Sequence, residues 1–505
     1  MSEFKLTEPL DQYDQQLLAN VHPRDWKNPI PSSRYNLVVV GGGTAGLVAA
    51  AGAAGLGAKV ALIERGFMGG DCLNVGCVPS KTLISVARQC KAIRGAGDSG
   101  FNIGEVQVDF PRVMERMRRL RAGLSTHDSV QRFRGLGVDV YLGAGCFTRK
   151  NTIEVGDQNL EFKKAVIATG ARATIPSIPG LDESEYLTNE SLFSLRQLPK
   201  HLVIVGGGPL GCEMAQCFAR FGSQVTLIEG GNQILSQEEP EAAALVQSAL
   251  ESDGVRILLA TRLIRAERVG MSRSMVVSNH EKETTIGFDE ILLSVGRTPN
   301  VAGLGLELVG VDHDLQSGVA VDDFLRTTNP CIYAAGDVCS RFKFTHAADA
   351  MSRIVIQNAL FMGRKRMSKL LIPRCTYTSP EIAQVGMLPR QAAEHGIKLV
   401  QYSQPFRAVD RAVLEGNDVG YVSVYCRQGS DQIMGATVVA ANAGDLIGEI
   451  VLAMKHRIGL AKLAAVIHPY PTHADAIRKL GDLYNRQRLT PWVQSVLARW
   501  MKWIG

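Results

Sequence analysis

The chain has 505 residues, 46% of them hydrophobic and 21% charged, with 55 basic against 49 acidic residues and a net charge of +6. That length exceeds what one hydrophobic core can serve, so a few domains of ordinary size are expected, and the small basic excess makes no case for nucleic acid. Ten dispersed cysteines are not a secreted disulfide framework and suit a reducing cytoplasm, and the mixed polar N-terminus does not read as a signal peptide.

Residues 1–35, with Pro9, Pro23, Pro29 and Pro31, read as an extension whose role is not visible. An apolar strand, Leu37 to Val40, then enters Gly41-Gly-Gly43-Thr44-Ala45-Gly46, an Ala-rich helical segment, and a second strand ending at Glu64. This is the GxGxxG pattern of a dinucleotide site: the glycines allow a tight turn and close approach of pyrophosphate to a helix N-terminus, and the acid accepts hydrogen bonds from a ribose. The apolar stretch Leu37 to Ile63 contains Lys59 and many glycines, which fits strand, turn and helix better than a membrane span.

Next comes Gly70-Asp-Cys72-Leu-Asn-Val-Gly-Cys77-Val-Pro-Ser-Lys81. On an unbroken helix, residues five apart are separated by about 7.5 Å along the axis, too far for a bridge that needs Cα atoms within ~7 Å. The helix must break between them: Gly76 can take unusual backbone angles, and Pro79 suits a first helical position. Cys77 then sits at a helix N-terminus with Lys81 one turn on, both favouring a thiolate, so the pair is read as a redox disulfide. Cys212 and Cys217 share the spacing without Gly or Pro between them and are read as packing in a continuous helix.

Ala168-Thr169-Gly170 closes a further strand, and the opening motif then recurs as Leu202 to Val205, Gly206-Gly-Gly208-Pro-Leu-Gly211, ending in Glu229. Two dinucleotides imply an electron route in which one cofactor stays and the other exchanges. No Arg or Lys directly follows Glu229, whose own charge repels a 2′-phosphate, so NADH is expected over NADPH. Gly296 and Gly336-Asp337 end two later apolar runs at small residues, as where a cofactor lies across strand ends. From about residue 366 alternating segments such as Tyr421 to Cys426 predict an antiparallel sheet flanked by helices. The tail presents Trp492, Val493, Val496, Leu497, Trp500, Met501 and Ile504 on one helical face beside Arg499 and Lys502. At ~20 Å it is too short to cross a bilayer. It is read as docking on the protein's own surface or a partner subunit, with a membrane surface as the alternative.

With these parts in order, residues 36–480 resemble the class I pyridine nucleotide–disulfide oxidoreductases, the FAD family of dihydrolipoamide dehydrogenase, glutathione reductase and mercuric reductase. The motifs are Cys72 to Lys81, Ala168 to Gly170, Gly206 to Gly211 with Glu213, Gly296-Arg297-Thr-Pro-Asn, Ala335-Gly336-Asp337, and Tyr377-Thr-Ser-Pro-Glu381. The resemblance implies an α/β fold of two Rossmann-like dinucleotide-binding domains and a C-terminal α+β interface domain. The expected extents are 36–170 with 297–365 for FAD, 171–296 for NAD(P), 366–490 for dimerisation and 491–505 for the tail. It implies a homodimer with active sites shared between subunits. FAD pyrophosphate would lie at Gly41, Gly43, Thr44, Ala45 and Gly46, its adenosine ribose on Glu64, its adenine past Ala144 and Gly145, and its ribityl chain near Asp337. Lys81 and Glu213 would pair beside the flavin, with Cys77 facing it and Cys72 facing the acceptor.

One departure matters. Disulfide-reducing members carry a base histidine before Pro-Thr and a glutamate after it; here Tyr470 takes the base position and Asp475 the glutamate position. A phenol with a pKa near 10 is a poor base at neutral pH. Either His468 or His473 replaces it, as in a lipoamide or disulfide reductase, or no proton need be shuttled because the acceptor is a thiophilic metal ion, as in mercuric reductases, which have aromatic residues there. The mercuric-reductase-like reading is taken, although no Cys pair follows Cys426, no N-terminal CxxC domain is seen, and NADH is the expected donor. A non-catalytic flavin-bound redox sensor is the remote alternative.

Overall fold

A computed structural model describes residues 6, 8–31, 33–182, 185–270, 272–280 and 282–505. The chain divides into two compact units, residues 1–234 with 253–370, and residues 235–252 with 371–505.

In the first unit, helix α1 (Gln12–Val21) starts at Asp11, whose carboxylate accepts the amides of Tyr13 and Asp14 at 2.9 and 2.8 Å. The extension therefore holds a capped helix that its prolines did not announce. Strands β1 (Tyr35–Val40) and β2 (Val60–Glu64) flank helix α2 (Thr44–Gly55) and pair in parallel, followed by helices α3 (Gly70–Asn74), α4 (Cys77–Arg94) and α5 (Phe110–Leu124). Strand β3 (Val138–Leu142) is the sheet edge; β4 (Gly145–Arg149), β5 (Thr152–Val155) and β6 (Gln158–Ile167) continue the sheet in the order β3-β2-β1-β6-β5-β4, with strand Ile332–Ala334 beside β6. Leu37, Val38, Val39 and Val40 are all buried, as expected for a parallel strand covered on both faces.

The sequence repeat is a structural repeat. Gly41 has φ +111°, and a Cβ there would stand 2.3 Å from the Ala168 carbonyl; Gly206 has φ +106° and would stand 2.5 Å from the Ser294 carbonyl. A Cβ on Gly46 or Gly211 would lie 1.7 or 2.0 Å from the carbonyl of Gly41 or Gly206, so only glycine lets each helix close on its strand. The second copy forms a four-stranded parallel sheet of Val255–Leu258, Gln224–Ile228, His201–Val205 and Glu290–Leu293.

The second unit is a five-stranded antiparallel sheet with helices Ala443–Lys455 and Asp475–Gln487. The expected alternation along Tyr421 to Cys426 is not found, because every residue of that run is buried. Segment 235–252 explains part of this: the Tyr425 phenol donates to both Glu239 carboxylate oxygens at 2.7 Å, and the Thr437 hydroxyl bonds the same carboxylate. The tail forms helix Pro491–Ile504 with none of its residues buried, so of the two docking places expected, its own chain is not the one it uses. No helix among the described residues is long and apolar enough to cross a membrane.

Candidate active site

The helix break falls between α3 and α4, at Val75 and Gly76. A Cβ on Gly76 would lie 2.8 Å from the Asp71 carbonyl, which explains the glycine. Pro79 is the third residue of α4 rather than the first, still within the turn where an amide has no helical acceptor. Side chains secure the break: Arg121 Nη1 donates to the Asn74 carbonyl at 2.9 Å, Asn189 Nδ2 to that of Val75 at 3.4 Å, and Asn74 Nδ2 to those of Gly70 and Met68 at 2.8 and 3.1 Å.

Both thiols are free, Cys72 is hydrogen-bonded to Cys77, and Cys77 Sγ lies 3.4 Å from Thr345 Oγ1. The Cys72 hydrogen bond, helped by the Thr345 hydroxyl and the Lys81 charge and opposed by burial, holds the Cys77 thiol down at about 6. The same hydrogen bond, with burial and the Cys77 charge, drives Cys72 upward. One cysteine is thus poised as a thiolate and its neighbour as the thiol that donates to it. Lys81 Nζ lies 2.9 Å from Glu213 Oε2, whose side chain is only 5% exposed. Cys212 and Cys217 are buried on helix Pro209–Phe221, and burial pushes both thiols up, the opposite of a reactive pair.

Cys72 and Cys77 line a cavity of about 750 Å³. Gly41, Gly43, Thr44 and Ala45 line it as well, as do Glu64, Thr169, Gly170, Gly336 and Asp337; Gly46, Lys81, Ala144 and Gly145 do not. Glu64 accepts the amides of Gly42 and Gly66 at 2.5 and 2.6 Å, and burial pushes its carboxyl up against their pull. An acid anchored at a strand end, a helix N-terminus stripped of side chains at Gly43, and a cavity running on to the cysteines fit FAD, with Glu64 for the ribose and the α2 amides for pyrophosphate. Arg297 joins this cavity from afar: it is ion-paired to Asp71, lies 3.5 Å from Asp337, and donates to the Ala171 carbonyl at 2.7 Å.

Glu229 repeats the Glu64 arrangement, accepting the amides of Gly207 and Gly231 at 2.8 and 2.7 Å. Gly296 (φ +130°) accepts the Thr174 amide at 3.0 Å, just before the strand that carries Arg297. The stem of Arg262 lies beside Gly230, 3.9 Å from where a Cβ would stand, a cation the local sequence did not disclose.

In the second unit the Tyr470 phenol donates to Asp410 Oδ2 at 2.6 Å, and this bond, with the Asp410 charge, raises its pKa further. Asp475 does not partner it; it is ion-paired with Arg478 and Lys479 at 2.8 and 3.2 Å. His468 Nε2 lies 3.0 Å from Glu449, with Nδ1 3.1 Å from the Val466 carbonyl, and His473 Nε2 lies 3.5 Å from Glu415.

Residues 35–352 match the Pyridine nucleotide-disulphide oxidoreductase family and residues 372–480 its dimerisation domain. The chain belongs to this family. It is 34% identical to a mercuric reductase of Streptomyces lividans over 89% of this chain and 96% of that protein, and 33% identical to a dihydrolipoyl dehydrogenase of Geobacillus stearothermophilus over 88% and 95%. Among solved structures, the Cu(II) complex of the HOCl-induced flavoprotein disulfide reductase RclA from Escherichia coli superposes with a TM-score of 0.78 at 28% identity, covering 90% of this chain and 100% of that one. This pyridine nucleotide-disulphide oxidoreductase is therefore an FAD-dependent disulfide oxidoreductase that uses a pyridine nucleotide, and its dimerisation domain indicates a homodimer.

Three functional candidates of this oxidoreductase escaped the sequence. Thr345 belongs to no pattern that marks it, Asp71 stands in the cysteine motif without a role read for it, and Arg121 reaches Asn74 from 47 positions away. Arg297 sits in a recognisable motif, but nothing in the motif names its acidic partners.

Proposed function

We propose that the enzyme oxidises NADH and delivers the electrons, through the Cys72–Cys77 pair, to a thiophilic metal ion such as Hg(II) or Cu(II). In this reading residues 36–170 with 297–365 hold FAD, 171–296 hold the nicotinamide nucleotide, and the Tyr470 segment of one subunit faces the cysteines of the other. Bound FAD would supply two-electron transfer between reduced nicotinamide and the Cys77 side of the pair. Two electrons and two protons open the Cys72–Cys77 disulfide to two thiols, and Lys81, held by Glu213, keeps positive charge beside Cys77 as negative charge builds there. The two sulfurs then take the metal ion as soft ligands, each losing its proton, and their oxidation back to the Cys72–Cys77 disulfide releases the two electrons that reduce one Hg(II) to the metal or two Cu(II) to Cu(I).

The observation that carries this choice is Tyr470, locked to Asp410 with its proton held more tightly than in a free phenol. Mercuric reductases among the relatives and the Cu(II) complex of RclA support it. A dihydrolipoamide or disulfide reductase is favoured instead by the His468–Glu449 pair, which has the imidazole–carboxylate chemistry of a thiol base. Steady-state NADH oxidation with Hg(II), Cu(II), lipoamide and glutathione disulfide tests the choice. Turnover with the metal ions and little with either disulfide is expected; efficient lipoamide or glutathione disulfide reduction, abolished by His468→Gln, would establish the second reading.

A further inference from the structure

The family match begins at residue 35, yet Leu6, Glu8, Leu10, Leu18, His22 and Arg24 line the same cavity as Glu64 and Cys77. We propose that Leu6 and residues 8–24 are a built wall of the FAD site, a clasp over the adenylate end of the dinucleotide that the family fold does not itself supply. This rests on the family's use of FAD and adds to it where the cofactor is gripped.

The clasp is fastened at the loop that follows Glu64. The amide of Met68 donates to the Val21 carbonyl at 3.1 Å, and His22 Nδ1 lies 2.7 Å from the Gly66 carbonyl, with its ring 5.6 Å from that of Phe67. Gly66 is the residue whose amide holds Glu64, so His22 stands one residue from the acid assigned to the ribose. Arg24 lies 3.9 Å from Glu8, joining the two ends of the extension that border the cavity. The His22 imidazole on the loop that holds the ribose acid and the Arg24 cation on the same cavity wall suit an anionic adenylate, and Leu6, Leu10 and Leu18 offer apolar surface to its base.

Further on, α1 is tied down by charges that solvent hardly reaches. Asp14, 2% exposed, takes Arg121 Nη2 at 3.2 Å and Arg196 Nη2 at 3.3 Å, and Arg121, 1% exposed, holds the Asn74 carbonyl with its other nitrogen. Asp11 is ion-paired to Arg118 at 2.5 Å on the same helix α5. Past α1, Trp26 Nε1 donates to the Val140 carbonyl at 3.2 Å, and Asn28 exchanges two hydrogen bonds with Leu142 at 3.0 and 2.8 Å, pairing the open edge of β3 as a strand would. The segment is thus fixed at α1 and again at Trp26 and Asn28, on either side of Leu18, His22 and Arg24.

The test is cofactor affinity, measured by flavin-fluorescence quenching as FAD is titrated into apo-protein and by the temperature at which holo-protein releases flavin. The double variant His22→Ala, Arg24→Ala in the full chain should weaken FAD binding about tenfold, the loss expected for one or two charge-assisted contacts. A chain lacking residues 1–31 should weaken it further. An FAD affinity within about twofold of wild type in the double variant would overturn the clasp, and this variant decides the matter if the shortened chain fails to fold. Failure of the wild-type chain itself to bind FAD would instead remove the cofactor assignment.

Discussion

The Lys81 ammonium lies 2.9 Å from the Glu213 carboxylate, tying the helix that opens with Cys77 to the helix behind the second glycine turn. Lys81→Met removes the only half of this pair that reaches solvent and leaves the buried Glu213 without that charge. A loss of about 1–3 kcal/mol is expected, read as a lower urea midpoint at unchanged slope. The thiol of Cys77 should also become less acidic, since the Lys81 charge is one of the forces that lowers it.

The acidity of Cys77 can be read without turnover. Its thiolate is the form present above its pKa, so alkylation of Cys77 by iodoacetamide in reduced apo-protein should be slow below pH 5, rise through a midpoint near pH 6, and be level by pH 8. Thr345→Val removes a hydroxyl 3.4 Å from the sulfur and should move that midpoint upward. A midpoint near 9 in the wild-type chain would contradict the geometry.

The two cysteine pairs of equal spacing should behave oppositely. Cys72→Ser is expected to preserve FAD content yet abolish acceptor turnover, measured as NADH oxidation. Cys212→Ala and Cys217→Ala should leave turnover within about twofold while costing stability as small buried side chains do, about 1 kcal/mol each.

Nucleotide choice turns on Glu229 and Arg262. Wild type should give a higher kcat/KM with NADH, and Glu229→Ala should narrow the gap by freeing space and removing a repelling charge near a 2′-phosphate. If Arg262 extends to that phosphate, Arg262→Ala in the Glu229→Ala background will lower kcat/KM for NADPH alone.

Asp14→Ala leaves Arg121 buried against a lost partner, and about 3–5 kcal/mol of stability should go with it. Asp14→Asn keeps a hydrogen-bond acceptor in place and should cost less. Thermal unfolding followed by far-ultraviolet circular dichroism ranks the two.

The sheet strands, both glycine turns and the broken helix were legible because each rests on a local rule: apolar runs, positions where a Cβ would meet a carbonyl, and the distance a disulfide can span. Lys81 and Glu213 came from the family likeness and meet as that likeness implies. What could not be read is what long-range packing decides. Asp410 reaches Tyr470 from 60 positions away and displaces the partner assigned to it, Asp475, whose charge is taken by Arg478 and Lys479. Val422, Val424 and Cys426 face the core while Tyr425 on the other face meets Glu239 from far upstream, and no local alternation can report that. Likewise the prolines marked residues 1–35 only as an extension, while the helix within it depends on Arg118 and Arg121 of α5 meeting Asp11 and Asp14.

The eighteen residues 235–252 belong by position to the nucleotide-binding half and by packing to the C-terminal one. Glu239 receives Tyr425 and Thr437, and Glu238 receives Arg374 at 3.3 Å, so the later sheet is completed by a loan from the middle of the gene. Expressing residues 371–505 alone would strand a phenol and a hydroxyl in its interior, and grafting that half onto a cousin's nucleotide half would demand that the loaned helix travel with it. The molecule is therefore not divisible at its apparent seam, and recombination between relatives should succeed only where both crossovers respect that loop.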